Sequence, residues 1–90
     1  MSHKHEQLLR TIFTDPPSNN IHWREVESLL NHVGAEMENI PGARLRVKIK
    51  RMETILHRPH HSHTLDRQGI KHLREFLARA GVTVSAVEKS

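Results

Sequence analysis

The stretch most suited to chemistry is residues 57–64, His-Arg-Pro-His-His-Ser-His-Thr, which holds four of the nine histidines. An imidazole exchanges its proton near neutral pH, which lysine and arginine do not. RNA cleavage without a metal needs a base for the 2′-hydroxyl, an acid for the leaving oxygen and cations for the developing charge. His57, Arg58 and His60 supply these residue types within four positions. They are therefore candidate catalytic groups, with a simple solvated histidine loop as the alternative.

The elements on either side of this stretch would give it a favourable position. Residues 52–56 have the composition of a strand, and Pro59 blocks further regular pairing. Thr64 is a candidate N-cap for a following helix, with Asp66 in its first turn. The amides at a helix N-terminus point outward and attract phosphate. We therefore expect His57 and His60 to lie beside a phosphate-binding helix end.

A metal site is the competing chemistry for these histidines. His57, His60, His61 and His63 are closely spaced, but side chains on one short loop rarely all converge on one ion. Asp66 is the only carboxylate nearby, and the chain has no cysteine. We therefore expect neither a metal nor another cofactor.

Charge is segregated along the chain, although the formal net charge is only +4. Residues 1–41 hold three basic and six acidic side chains, whereas residues 42–80 hold ten basic and three acidic ones. Such an excess of cations indicates a half that faces a polyanion. Stacking on single-stranded bases is not indicated, since the chain has only three aromatic residues, all at apolar positions. The predicted RNA contacts are Arg44, Arg46, Lys48, Arg58, Arg67, Lys71 and Arg74.

The periodicity predicts the elements that position these residues. Apolar stripes at helical spacing predict helices over residues 2–13, 23–33 and 64–80, with Gly34 and Gly81 ending the latter two. Alternating residues predict strands over 35–38, 44–50 and 52–56. Pairing the first two strands about Pro41-Gly42 places Met37 opposite Leu45, Glu38 opposite Arg44 and Glu36 opposite Arg46.

The predicted fold class is α+β, a two-layer sandwich with helices on one face of a three-stranded antiparallel sheet. We expect a single domain over residues 1–90, made of an extra N-terminal helix (2–15), a core (21–82) and a tail (83–90). No apolar run approaches the roughly 20 residues of a membrane span, and residues 1–5 lead into no signal-peptide core. A cytoplasmic protein without a membrane partner is therefore expected.

Residues 21–82 contain a helix that ends in Leu29-Leu30 and Gly34, the Gly42 turn before the central strand, Pro59-His60 after the third strand, and a last helix that closes with Ala80-Gly81. With these features they resemble the HicA family of bacterial toxins, which are small mRNA interferases whose fold is similar to double-stranded-RNA-binding domains. The resemblance implies a toxin that cleaves mRNA and is neutralised by a HicB-type antitoxin protein. The antitoxin would cover the basic surface.

The chain departs from the family pattern at one important position. The family has its catalytic histidine two residues after the turn glycine, where this chain has Arg44 after Gly42. Arginine holds phosphate but cannot act as a base at neutral pH. Either the role has moved to His57 and His60, or the protein is a non-catalytic RNA-binding module. A DNA-binding regulator is a third alternative, and the absence of helix-turn-helix spacing makes it the weakest.

Overall fold

The computed structural model describes residues 3–15, 21–59 and 63–84. Three helices and three strands follow in the order α1 (His3–Ile12), α2 (Trp23–His32), β1 (Glu36–Ile40), β2 (Arg44–Ile49), β3 (Met52–His57) and α3 (Arg67–Arg79). The strands form one open antiparallel sheet in the order β1-β2-β3. The predicted α+β class with a three-stranded antiparallel sheet is confirmed.

The helices end as the glycine positions predict. At the end of α2, the Ala35 amide donates to the Leu30 carbonyl at 3.0 Å, with Gly34 at φ +84°. At the end of α3, the Val82 amide donates to the Leu77 carbonyl at 2.8 Å. Both are Schellman-type stops, in which a residue of positive φ lets the last helical carbonyls find a donor.

The predicted register of β1 and β2 is wrong by two residues. The structure pairs Met37 with Val47 and Glu38 with Arg46. The reason is the length of the loop: β1 runs on to Ile40, and residues 41–43 form a three-residue loop with Gly42 and Ala43 at positive φ. A shift of two residues leaves every side chain on its predicted face, so the polarity of the pairs could not reveal the error.

The start of α3 also differs from the prediction. Asp66, not Thr64, is the N-cap, and its carboxylate accepts a hydrogen bond from the Gly69 amide at 2.7 Å. Thr64 instead forms a short antiparallel bridge with His22. The Trp23 amide donates to the His63 carbonyl at 2.7 Å, and the Leu65 amide donates to the Ile21 carbonyl at 2.9 Å. This bridge holds the N-termini of α2 and α3 side by side.

One apolar core joins the helices to the inner face of the sheet. Leu45, Val47 and Ile49 of β2 point into it, as the alternation predicts, and Trp23 is a core residue with 9% exposure. Helix α1 contributes Leu8, Leu9 and Ile12, so the extra N-terminal helix shares the core of residues 21–82. Among the residues that the structure describes, no helix is long and apolar enough to cross a membrane.

Candidate functional site

The outer face of the sheet carries the predicted strand cations, but two acidic side chains neutralise its centre. Arg46 lies between the outer strands, with Nη1 2.9 Å from Glu38 Oε1 and Nε 3.3 Å from Glu53 Oε1. Lys48 has Glu36 and Glu53 as its cross-strand neighbours. A phosphate approaching this part of the sheet would have to compete with carboxylates for the same cations.

The other end of the sheet has a different charge. Arg44 lies between Ile40 and His57 in the register, with no acidic cross-strand neighbour. The Arg44 Nε donates to the Pro41 carbonyl at 2.8 Å, which fixes the guanidinium at the loop. The Arg58 amide donates to the Ala43 carbonyl at 2.8 Å, so Arg58 is held against the same loop. We call Arg44, His57 and Arg58 the basic end of the sheet.

A groove of about 720 Å³ begins at the basic end and runs along β3. Residues 55–59 form one wall, and the first two turns of α3 form the other. Trp23, Thr64 and Leu65 line the space between them. We call this cleft the edge groove. A hydrogen bond of 2.8 Å between Thr54 Oγ1 and His72 Nε2 links its two walls.

Two polar atoms beside the edge groove have no hydrogen-bond partner within the described ranges. The indole Nε1 of Trp23 and the Nε of Arg58 are both buried and unpartnered. Both atoms are N–H donors, and a buried donor without an acceptor is uncommon in folded proteins. The groove is therefore suited to a group that brings acceptor oxygens.

The three predicted RNA contacts on α3, Arg67, Lys71 and Arg74, have two kinds of environment. Arg67 and Lys71 are exposed. Arg74 is mostly buried, and its guanidinium binds the end of α1 through the Ile12 and Thr14 carbonyls. Of these three α3 cations, Arg74 is therefore engaged within the fold, and Arg67 and Lys71 remain exposed.

The remaining predicted site residue, His60, lies outside the described residues, as does His61. His57 is exposed at the end of β3, and His63 is exposed just before α3. Within residues 3–15, 21–59 and 63–84, no group of three histidine, aspartate or glutamate side chains is arranged to hold a metal ion.

Sequence reasoning missed a histidine pair between α1 and α2. His5 lies at a second cleft, of about 650 Å³, where its Nε2 is 2.8 Å from Ser28 Oγ. The rings of His5 and His32 are 4.5 Å apart between centroids. Partial burial, and then repulsion from His32, lower the pKa of His5 below its usual value. The amphipathic patterns of α1 and α2 indicate which face of each helix is buried, but they do not show that His5 and His32 come into contact.

Comparisons with known proteins give no independent assignment. No protein-family model matches the chain, and neither a curated protein nor a solved structure matches it.

Proposed function

We propose that this protein is the toxin of a bacterial toxin–antitoxin pair, an mRNA interferase of the HicA type that acts in the cytoplasm. It would cleave RNA by histidine acid–base chemistry without a metal and be inhibited by a HicB-type antitoxin. The observation that best supports this proposal is the pairing of Arg44 with His57 at the basic end of the sheet. A proton-transfer group and a phosphate-binding cation are thereby cross-strand neighbours.

The proposed roles follow from the chemistry of each side chain. Arg44 and Arg58 would hold the scissile phosphate and stabilise its added negative charge. His57 would transfer one proton, and His60, from the sequence pattern alone, would transfer the other. Arg46 and Lys48 would have weaker roles because Glu38, Glu53 and Glu36 lie beside them. The similarity to double-stranded-RNA-binding domains belongs to this proposal as well.

The runner-up is a non-catalytic RNA-binding module of the same fold. It is favoured by Arg44 at the position where the HicA pattern has a histidine, because arginine contributes binding without acting as a base. In that case the basic end would hold RNA backbone, and His57 would add only a further contact.

Cleavage of RNA by the purified protein in the presence of EDTA distinguishes the two functions. His57→Ala and His60→Ala should each lower the cleavage rate by about 100-fold or more, with a smaller effect on RNA binding. His63→Ala is the matched control, as this exposed side chain has no proposed role. RNA binding without cleavage by the unaltered protein would favour the binding module. Absence of both binding and cleavage would refute an RNA-directed function.

A further inference from the structure

The edge groove has the form of a site for an extended peptide. β3 is an outer strand, and no described strand pairs with its second side. Residues 55–59 line the groove consecutively. Successive side chains of a strand point to opposite faces, so a cleft that touches the consecutive β3 residues Ile55, Leu56 and His57 runs along the backbone edge, and it continues past the strand to Arg58 and Pro59. The backbone groups on this edge are therefore next to an open space.

The dimensions of the groove suit a short strand. The part of β3 that lines the groove, residues 55–57, spans roughly 10 Å of extended chain. Helix α3 forms the far wall through Gln68, Gly69 and His72. The hydrogen bond between His72 and Thr54 joins this wall to β3 one residue before the lining residues begin. An inserted chain would thus be enclosed between a strand edge and a helix.

The charges and donors of the groove specify what the inserted chain must carry. The unpartnered N–H groups of Trp23 and Arg58 require acceptors, and Trp23 is more than nine-tenths buried. Asp66 is the only acidic side chain among the lining residues, and its carboxylate already accepts from the Gly69 amide. His57, Arg58 and His72 supply basic or donor groups. This combination complements an acidic chain.

We propose that the edge groove binds an extended acidic segment of a partner protein, which adds to β3 as a fourth strand. Its backbone would pair with the free edge of β3, and its carboxylate or carbonyl oxygens would accept from Trp23 Nε1 and Arg58 Nε. RNA is the less suitable occupant because a nucleic acid has no backbone that continues a β-ladder. The inference does not depend on RNA cleavage, although a segment bound here would also cover part of the basic end.

The test uses the full-length ¹⁵N-labelled protein and a capped heptapeptide of alternating glutamate and valine. We expect saturable changes in the chemical shifts of the backbone amides of residues 55–58 and of the Trp23 indole N–H, with a dissociation constant below about 1 mM. Fluorescence gives a second readout, since Trp23 is the only tryptophan. Arg58→Ala should weaken binding by about tenfold or more, because a charge-assisted hydrogen bond is lost. Arg79→Ala, at the exposed far end of α3, is the matched control and should bind normally.

A second peptide tests whether binding uses the strand edge. The same heptapeptide with an N-methyl group on every residue keeps its charge but cannot donate a backbone hydrogen bond along either edge, so it should not bind. Equal binding of this peptide would overturn the proposal, as would the absence of chemical-shift changes at the amides of residues 55–58 up to millimolar peptide. Shifts at these residues with an oligouridylate and not with the peptide would assign the groove to RNA. Shifts that depend on protein concentration alone would assign it to a second copy of the chain.

Discussion

Arg74 and Ile12 join the last helix to the first: the Arg74 Nε donates to the Ile12 carbonyl oxygen at 2.8 Å. The two terminal nitrogens of the same guanidinium reach the Thr14 carbonyl and the Asp15 carboxylate, each at 2.9 Å. The carbonyls at the end of a helix have no partner within it. Arg74 therefore acts as a C-terminal cap for α1 that is supplied from another element.

Replacing Arg74 by alanine should lower the free energy of unfolding by about 1–3 kcal/mol, because partly buried acceptors lose their donor. Arg74→Lys should recover little, since one ammonium cannot reproduce three directed contacts. The measurement is urea denaturation. Lys71→Ala, on the exposed side of the same helix, should change the free energy of unfolding by less than about 0.5 kcal/mol. Equal effects at the two positions would argue against the cap.

Replacing Lys50 should stabilise the hairpin between β2 and β3. Lys50 has φ +56° in the two-residue loop between Ile49 and Met52, a conformation that costs a residue with a Cβ about 1–2 kcal/mol. Lys50→Asn or Lys50→Gly should raise the free energy of unfolding by roughly 0.5–1 kcal/mol, since both tolerate positive φ. Arg51→Gly is the control, because Arg51 does not have positive φ, and it should give no gain. A lower denaturation midpoint for both Lys50 variants would contradict this expectation.

The contact between His5 and His32 should make the stability of the fold depend on pH. The pKa of His5 is lowered in the folded state, so below the ordinary histidine value of 6.5 the unfolded chain binds more protons than the folded one. Its contribution to stability is therefore present above that value and is lost as pH falls from 6.5 through the lowered pKa. His5→Gln should flatten the dependence of the urea midpoint on pH between about 5 and 7.

The exposed His57 provides the control for this pH effect. His57→Gln should leave the pH dependence of the urea midpoint as in the unaltered protein, because His57 is exposed and takes no part in the α1–α2 contact. His32→Gln should reduce the pH dependence of the urea midpoint only in part, because it removes the repulsion from His32 but leaves His5 partly buried. If the urea midpoints of His5→Gln and His57→Gln depended on pH in the same way, the α1–α2 contact would not be the source of the pH dependence.

Removing the carboxylates beside Arg46 should strengthen RNA binding if the outer sheet face contacts RNA. In the Glu38→Gln, Glu53→Gln double variant, the Arg46 guanidinium would be released to bind phosphate. The slope of log K against log salt should become steeper by roughly 0.7–0.9 for each additional phosphate that is neutralised. The Glu25→Gln, Glu27→Gln double variant on α2 has the same net charge and should leave the slope unchanged. Equal slopes in the two variants would indicate a general charge effect.

The sequence predicts local structure where one pattern decides it. The alternation over residues 44–50 correctly predicts β2 and its buried face, and the stripes of the three helices are confirmed. The hairpin register was not predictable, because shifts of two residues preserve polarity and Ala43 gives no signal of its positive φ. The N-cap error has a similar origin: Thr64 has a suitable side chain, but its backbone is used by the bridge to His22.

The candidate site was predictable only in part. The sequence predicts His57 and Arg44 as site residues, and the pairing of β2 with β3 makes them neighbours. The role of Arg74 and the edge groove beside Trp23 depend on contacts between residues far apart in the chain, which residue types and spacing do not encode. The spacing of an arginine in a helical sequence is the same whether its side chain faces solvent or caps another helix.

The docking of α1 against α3 has a consequence for the order of folding. Helix α1 packs against both α2 and α3, so the end of α1 that Arg74 caps, and part of its apolar surface, find their partners only when the last helix is present. A nascent chain that has emerged as far as β3 therefore still exposes part of the surface that α1 will bury. Contacts of such long sequence separation form late because closing the intervening loop has an entropic cost. Completion of the core must await release of α3 from the ribosome, so translation itself sets the earliest time at which the folded protein can exist.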